Sequence, residues 1–252
     1  MFSLEIECDP DDRDLLIAEL WEQGSAGIVE LNEQSVRAFF EDEADRDSLL
    51  ELFPGAALRN EQPRDWVQTA RALLPPMEAG ARFFLVPEWR DDPAPEGRFR
   101  ITVNPGMAFG TGAHETTRLA IEALEDYLKE GMRVLDVGTG SGILAQAARL
   151  LGARHVFACD TDPVAVSIGR GAFVGSADAV AAAAVDLVVA NISPEAILQL
   201  APDLVRVLRP DGVLLASGFQ VAEIDLIKAA LPNARDVRRK GDWALIATGA
   251  RR

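Results

Sequence analysis

The sequence predicts an α/β protein in which a doubly wound domain with a mostly parallel sheet follows a small α+β domain. Three observations support this fold class. Residues 1–61 follow the order strand, helix, two strands, helix, strand, which is the ferredoxin-like pattern. Residues 101–252 instead alternate apolar runs with segments of helical periodicity. Within them, the stretch VLDVGTGSGIL (134–144) places a glycine-rich turn between a strand and a helix, as nucleotide-binding folds do.

The N-terminal domain, 1–61, is expected to be a docking domain. FSLEIEC (2–8) alternates apolar and polar residues as a half-buried strand does, and DPDDRDLLIAELWEQG (9–24) places acidic residues before apolar residues at helical spacing. A hairpin around Glu33-Gln34, a second helix and a last strand follow. Because this segment holds no histidine and no glycine-rich loop, it offers no constellation for catalysis.

Residues 62–100 are predicted to connect the two domains. DWVQTARALL (65–74) has helical character up to Pro75-Pro76, and two strands flank the turn-rich DDPAPEG (91–97). The domain that follows, 101–252, contains nearly continuous apolar runs, as expected for strands buried on both faces. Its predicted strands are 133–138, 155–160, 185–192, 212–218 and 242–249, and the predicted helices include 115–129, 143–152 and 163–170.

The formal net charge of −15 limits the partners of the protein. A surface this acidic argues against sequence-independent nucleic-acid binding, and it either attracts a basic partner or simply favours solubility. No run approaches the ~20 apolar residues that span a bilayer, and the acidic N-terminus lacks the features of a signal peptide. Cys8 and Cys159, as two lone thiols, suit a reducing cytoplasm. His114 and His155 lack partners at metal-ligand spacing, so we expect no metal site.

The glycine turn carries the clearest chemical signal. Gly138 permits the tight turn, Gly140 lets the backbone approach a ligand, and Gly142 opens the following helix. Asp160 ends the next strand, where its carboxylate can hold the hydroxyl pair of a ribose. Asp136, just before the turn, would repel the diphosphate of a dinucleotide but suits an ammonium or a sulfonium group. These residues favour S-adenosylmethionine over NAD as the ligand.

Four stretches resemble the PrmA family, the methyltransferases of ribosomal protein L11. They are NPGMAFGTGAHETT (104–117), VLDVGTGSGIL, ACDTDPVAV and VVANI, and the similarity covers nearly the whole chain. The resemblance implies a Rossmann-like class I methyltransferase domain that closes with an antiparallel strand. It also implies S-adenosylmethionine-dependent N-methylation of lysine side chains and of the N-terminal amine of L11, a basic protein of the large ribosomal subunit. The N-terminal domain would recognise that substrate.

The resemblance also implies roles for individual residues. Thr117 would contact the methyl donor, Gly138 would lie under its methionine moiety, and Asp160 would bind its ribose. Asn191 of VVANI would face both the donor and the incoming amine, and it is the one residue expected to act in catalysis. Its side-chain carbonyl can accept a hydrogen bond from the amine without the charge that would hold it as ammonium. A glycine-rich loop folding over the donor would consist of Phe109, Gly110, Thr111, Gly112 and His114.

Two features leave alternatives open. His114 could instead cap the following helix or lie in the core beside a turn. The chain is also shorter between Asp162 and Asp186 than the family pattern suggests, and a right-handed crossover normally needs a dozen or more residues. If the third strand lies near 173–176, Gly175 and Ser176 would lie close to the adenine. Otherwise this strand is distorted or missing, and the adenine contacts and the activity are both in doubt.

Three other functions compete with L11 methylation. A methyltransferase of the same fold could modify another acceptor, such as a small amine or a nucleic-acid base. Against a base, the ANIS sequence lacks the aromatic residue that base methyltransferases carry at this place to stack a flipped base. A protein that binds the donor but has lost turnover would be consistent with the shortened segment. A nicotinamide oxidoreductase is the weakest alternative, because the glycine spacing differs from that of dinucleotide folds.

Overall fold

The computed structural model describes residues 1–9, 12–32, 34–42, 44–61, 75–103, 114–168, 171–231 and 233–249. The chain divides into two compact units, Met1–Leu74 and Pro75–Arg252. The predicted helix at 65–74 and the predicted donor loop residues Phe109, Gly110, Thr111 and Gly112 lie outside the described residues. None of the described helices combines the length and the apolar character needed to cross a membrane.

The described residues of the N-terminal unit form four strands and two helices in the predicted order. They are β1 (Phe2–Glu7), α1 (Arg13–Glu22), β2 (Gly27–Asn32), β3 (Ser35–Phe40), α2 (Arg46–Leu52) and β4 (Ala57–Asn60). The strands form one antiparallel sheet in the order β2-β3-β1-β4, which confirms the ferredoxin-like pattern. Alternate residues of the two central strands, including Phe2, Leu4 and Phe40, are fully buried in the core of this unit. The period-two pattern of the sequence therefore predicted the correct faces.

The second unit begins with a small sheet and continues into a large one. Its elements are β5 (Met77–Ala79), β6 (Phe83–Pro87), β7 (Phe99–Val103), α3 (Glu115–Tyr127), β8 (Arg133–Val137), α4 (Ile143–Leu150), β9 (His155–Asp160), α5 (Pro163–Ile168), β10 (Ala172–Val174), β11 (Val185–Asn191), α6 (Pro194–Arg206), β12 (Leu208–Gln220), α7 (Ile224–Ala230), β13 (Ala234–Lys240) and β14 (Trp243–Gly249). The small sheet has the order β5-β6-β7, and the large sheet has seven strands. The Glu125 carboxylate of α3 accepts hydrogen bonds from the N–H groups of Ala81 (2.8 Å) and Arg82 (2.7 Å), which ties the small sheet to α3.

The large sheet has the order β10-β9-β8-β11-β12-β14-β13. Its first five strands are parallel, and β14 is inserted antiparallel between β12 and β13. Both faces are covered, since Val134, Leu187 and Leu215 join the core that includes α3 and α4, whereas Leu135 and Val188 join the core that includes α6 and α7. This arrangement confirms the predicted doubly wound fold and explains the continuous apolar runs. The strand order reverses between β8 and β11, which is where such sheets open a crevice for ligands.

The shortened segment still supplies the third parallel strand. Strand β10 has only three residues and α5 only six, but β10 pairs with β9 in parallel, with Phe173 opposite Cys159 and Val174 opposite Asp160. The alternative of a missing strand is therefore wrong. Gly175, which follows β10, donates its N–H to the Asp160 carbonyl at 2.9 Å and keeps the turn beside the end of β9.

The sequence did not predict two strands. Strand β13 has the sequence ARDVRRK and lies at the edge of the sheet, where its charged side chains are partly solvated instead of showing an apolar pattern. Arg238 of β13 forms ion pairs with Asp126 and Asp236. Strand β5 has three residues only, which is too short to show a period.

Helix α3 should contribute strongly to stability through its buried face. Leu124 is fully buried, so Leu124→Ala leaves a cavity and should lower the free energy of unfolding by about 2–5 kcal/mol. Leu226 of α7 is 53% exposed, and Leu226→Ala should change the free energy of unfolding by less than about 0.5 kcal/mol. Denaturant unfolding of the two variants compares them, and equal losses would contradict the packing of α3 against the sheet.

Candidate active site

The glycine turn after β8 is fixed by backbone hydrogen bonds. The N–H groups of Gly138 and Thr139 both donate to the Cys159 carbonyl, at 2.9 and 3.0 Å, which joins the turn to β9. Gly138, Gly140 and Gly142 have φ angles of +70°, +49° and +77°, a region that L side chains rarely adopt. At Gly138 the requirement is also steric, because a Cβ there would overlap the Ile192 side chain.

Asp160 lies at the carboxyl end of β9, beside this turn. Its Oδ2 accepts a hydrogen bond from the Gly140 N–H at 2.9 Å, and its Oδ1 accepts one from the Asp162 N–H at 3.0 Å. These bonds fix the carboxylate in place. Each carboxylate oxygen can accept a further hydrogen bond, so Asp160 retains the capacity to bind ligand hydroxyl groups.

Asp136 is fully buried beneath the turn. Its Oδ2 accepts hydrogen bonds from the Thr139 hydroxyl at 2.7 Å and from the Ala145 N–H at 3.1 Å. Its Oδ1 is buried without a hydrogen-bond partner among the described residues. Burial raises the pKa of Asp136 to about 6, although the bonds from Thr139 and Ala145 act to lower it. A cationic ligand nearby would favour the ionised carboxylate and offset part of the cost of its burial.

Asn191 is the last residue of β11 and lies next to the glycine turn in the adjacent strand. Its Nδ2 donates to the Thr117 hydroxyl of α3 at 3.4 Å, and its Oδ1 is buried with no partner within the described part of the chain. A buried acceptor without a donor costs free energy, which a ligand donor would recover. Thr117 itself is fully buried beside Asn191, and it does not line the crevices described next.

Two crevices meet at Asn191, Ile192 and Ser193. The first crevice has a volume of about 290 Å³, and the predicted site residues that line it are Gly138, Gly140, Asp160, Gly175, Ser176 and Asn191. The second crevice has a volume of about 300 Å³ and is lined by the three shared residues with His114, Thr116, Gly218 and Trp243. The structure thus brings to one crevice six of the nine predicted donor-binding residues that it describes.

His114 occupies the capping position that was the alternative prediction for it. It is the N-cap residue of α3, and its Nδ1 accepts a hydrogen bond from the Thr116 N–H at 3.3 Å and lies 2.8 Å from the Thr116 hydroxyl. Its ring also meets the Trp243 ring edge-on, with 4.6 Å between the ring centroids. His114 therefore lines the second crevice rather than the first.

Three residues that line the crevices, Ile192, Ser193 and Trp243, were not predicted from the sequence as site residues. Ile192 packs against Gly138, and Ser193 caps α6 by accepting a hydrogen bond from the Ala196 N–H. Trp243 lies about fifty residues further along the chain and reaches the site only because β14 is inserted beside β12. The ANIS motif contained a signal for Ser193, since serine before proline is typical of a helix start. Nothing local in the sequence pointed to Trp243.

A larger cavity of about 480 Å³ also borders the turn at Thr139 and Gly142. Arg100 and Arg149 line it, and Asp160 does not. Cationic side chains disfavour a sulfonium ligand, so the first crevice fits S-adenosylmethionine better. There the carboxylate of Asp160 can bind ribose hydroxyls, and the turn leaves room for close approach of the ligand to the backbone. No group of three or more His, Cys, Asp or Glu residues in the described ranges is arranged to hold a metal ion.

The sequence profile of the ribosomal protein L11 methyltransferase (PrmA) family matches residues 18–250, nearly the whole chain. The chain belongs to this family. It is 33% identical to the ribosomal protein L11 methyltransferase of Pelobacter propionicus over 95% of both chains, and 34% identical to that of Deinococcus radiodurans over 94% of both. Identity to the Symbiobacterium thermophilum enzyme is 41%, over 71% of this chain and 62% of that protein's own length.

The fold has a counterpart among solved structures. The crystal structure of ribosomal protein L11 methylase from Lactobacillus delbrueckii subsp. bulgaricus superimposes with a TM-score of 0.65 and 32% sequence identity. The match covers 71% of this chain and 100% of that one. Membership of the PrmA family agrees with the donor predicted from the glycine turn, since its members are S-adenosylmethionine-dependent methyltransferases.

The contact between Gly138 and Ile192 should be necessary for the PrmA-type site. Gly138→Ala would place a methyl group against Ile192, and we expect it to lower the free energy of unfolding by more than ~1 kcal/mol and to weaken donor binding. The matched control is Gly131→Ala, which has a similar φ of +85° but open space around its Cβ. Calorimetric titration with S-adenosylhomocysteine and denaturant unfolding compare the two. Equal losses of stability and donor affinity in the two variants would contradict the steric role of Gly138. Adding Ile192→Ala to Gly138→Ala should restore part of the lost stability, because it removes the overlapping side chain.

The ionisation of Asp136 should make both stability and donor affinity depend on pH. Its pKa is about 6 in the folded protein against 3.8 for an unperturbed carboxyl, so the folded state holds the extra proton between these values. Asp136 therefore lowers stability as pH rises from 4 to 6, by ~3 kcal/mol at most. The unfolding free energy of the wild type should therefore fall relative to that of Asp136→Asn as the pH rises from 4 to 6. Wild-type affinity for S-adenosylmethionine should fall below pH 6, and a flat difference curve would contradict the burial effect.

Proposed function

We propose that the protein transfers methyl groups from S-adenosylmethionine to amino groups of ribosomal protein L11, namely lysine side chains and the N-terminal amine. Membership of the PrmA family supports the reaction and the substrate. The observation that carries the proposal is the buried, unpartnered Oδ1 of Asn191, which lies where the two crevices meet. A ribosomal protein as substrate also favours a cytoplasmic location.

The first crevice would hold the donor. The backbone of Gly138 and Gly140 gives the donor close access, Asp160 would accept hydrogen bonds from the ribose hydroxyls, and Gly175 with Ser176 would contact the adenine. Asp136, beneath the turn, would favour the positive charge of the donor through its carboxylate. Bound S-adenosylmethionine supplies an activated methyl group on its sulfonium. Thr117 would affect the donor only indirectly. Its hydroxyl accepts a hydrogen bond from Asn191 Nδ2 and so orients the Asn191 amide.

Asn191 would orient the acceptor amine. A lysine amine has an ordinary pKa near 10.4 and must be neutral to attack, which desolvation in a closed site promotes. Nδ2 of Asn191 donates to the Thr117 hydroxyl, and this bond orients the amide. Oδ1 is then the acceptor atom that is left to bind the amine. A neutral carbonyl can align the amine without stabilising the ammonium form. The main contribution to rate is then alignment of the amine with the methyl group, and no acid-base pair is required. Cys159 offers no nucleophile, since burial raises its pKa to about 12.

The rest of the molecule is consistent with a basic protein substrate. The net charge of −15 favours association with a cationic partner and disfavours free nucleic acid. The N-terminal unit has its own core, and none of its described residues lines the two crevices. It would recognise L11. The presence of β10 argues against loss of turnover, because Gly175 and Ser176 still line the first crevice.

Two variants of Asn191 test the proposal. Asn191→Ala removes the acceptor and should slow methyl transfer to purified L11 by at least ~100-fold, with unfolding free energy changed far less. Asn191→Asp keeps the shape but adds a charge that stabilises the ammonium, so its residual activity should shift to higher pH. Transfer of radioactive methyl from S-adenosylmethionine to L11 gives the rate.

The assay also separates the competing functions. Binding of S-adenosylhomocysteine by the wild type without any transfer to L11 would contradict the proposed reaction, and so would unchanged turnover of Asn191→Ala. Peptide mapping of labelled L11 should place the methyl groups on lysine side chains and on the N-terminal amine. Label on other residue types would contradict amine methylation.

A further inference from the structure

We propose that the second crevice is the acceptor subsite, and that Trp243 is the residue that positions the aliphatic stem of the acceptor chain and so directs its amine to Asn191. This inference rests on the proposed function, because it supposes an amine acceptor. It assigns a role to Trp243, which belongs to none of the motifs that predicted the donor site.

The position of the second crevice fits an acceptor. It shares Asn191, Ile192 and Ser193 with the first crevice, so a ligand in each would meet at Asn191. Transfer of a methyl group requires the acceptor atom to approach from the side opposite the leaving sulfur. Two crevices that adjoin at one amide satisfy this requirement. The volume of about 300 Å³ is enough for one lysine side chain.

The chemistry of the second crevice suits an uncharged alkylamine. No carboxylate belongs to the described residues that line it. Nδ1 of His114 and the hydroxyl of Thr116 lie 2.8 Å apart, so these two polar atoms are already engaged with each other. Trp243 and Ile192 complete it with apolar surface. An apolar lining desolvates the amine and lowers its pKa, which favours the neutral form that attacks.

A β-bulge lies in β12, the strand beside Trp243. The pairing of β12 with β14 shifts register between Ser217 and Phe219, with Gly218 as the extra residue. Gly218 has a φ of +103°, and a Cβ there would overlap the Ile192 backbone. A bulge re-aims neighbouring side chains and is common beside active sites. Here it allows the end of β12 to approach β11 closely, so that Gly218 and Trp243 face Asn191 across one crevice.

Trp243 is held by packing on its inner side. Its ring packs against the core that includes α3, and it pairs in register with Gln220 and Lys240 on the two neighbouring strands. The edge-on contact with His114 restrains the indole further. A rigid aromatic surface can bind an alkyl chain with little loss of side-chain entropy. Removal of the Trp243 ring should therefore affect alignment of the acceptor more than binding of the donor.

Trp243→Ala and Trp243→Phe test this role, with Phe157→Ala as the control. Phe157 is a 45% exposed aromatic residue on β9 that lines neither crevice. We expect Trp243→Ala to lower kcat for L11 at least ~10-fold, while Trp243→Phe and Phe157→Ala stay close to the wild type. Calorimetric affinity for S-adenosylhomocysteine should change by less than twofold in all three. Wild-type kcat in Trp243→Ala, or donor affinity reduced in proportion to kcat, would overturn the proposal.

A second readout does not depend on methyl transfer. n-Butylamine reproduces the side chain of lysine, and at alkaline pH it should bind the enzyme saturated with S-adenosylhomocysteine. Subtracting the fluorescence of Trp243→Phe from that of the wild type isolates the Trp243 signal, which n-butylamine should perturb with saturation. An unchanged signal would overturn the acceptor subsite. Because this test needs no turnover, it stays decisive if the wild type fails to methylate L11, a result that would count against the proposed function alone.

Discussion

The parallel pairing of β8 with β11 is the constraint on which the site depends. Val137 lies opposite Ala190, so the chain leaves the two strands side by side at Gly138 and Asn191. Gly138 has no side chain, and Ile192 packs into the space that a Cβ would need. From this point the following helices, α4 and α6, pack on opposite faces of the sheet. The crevices open between them, as the reversal of strand order requires.

The electrostatics divide the site into two parts with different tasks. Carboxylates belong to the donor side, where Asp160 faces the first crevice and Asp136 lies buried beneath the glycine turn. The described lining of the second crevice contains no carboxylate, and the polar residues shared by both crevices, Asn191 and Ser193, have uncharged side chains. This division would let one site favour a cationic donor while keeping an acceptor amine unprotonated. A second carboxylate near the amine would instead stabilise the ammonium.

The sequence predicted the features that local patterns encode. The strands β8 and β11 were predicted because they are buried on both faces. Asp160 was found because it ends a predicted strand, whereas Asn191 was found through the resemblance of VVANI to the PrmA family. Strand β13 was missed because its charged residues lie at a sheet edge. Trp243 could not be assigned to the site from sequence, because only the antiparallel insertion of β14 and the bulge at Gly218 bring it near Asn191. The capping role of His114 was foreseen only as an alternative to a donor contact.

A crystal structure of the protein with S-adenosylhomocysteine would test the assignment of the first crevice to the donor most directly. We expect the nucleoside in the first crevice, with its ribose hydroxyls on Asp160, its adenine beside Ser176, and its sulfur directed towards Asn191 and the second crevice. A nucleoside bound in the larger cavity beside Arg100, or bound in the first crevice with its sulfur turned away from Asn191, would contradict this expectation.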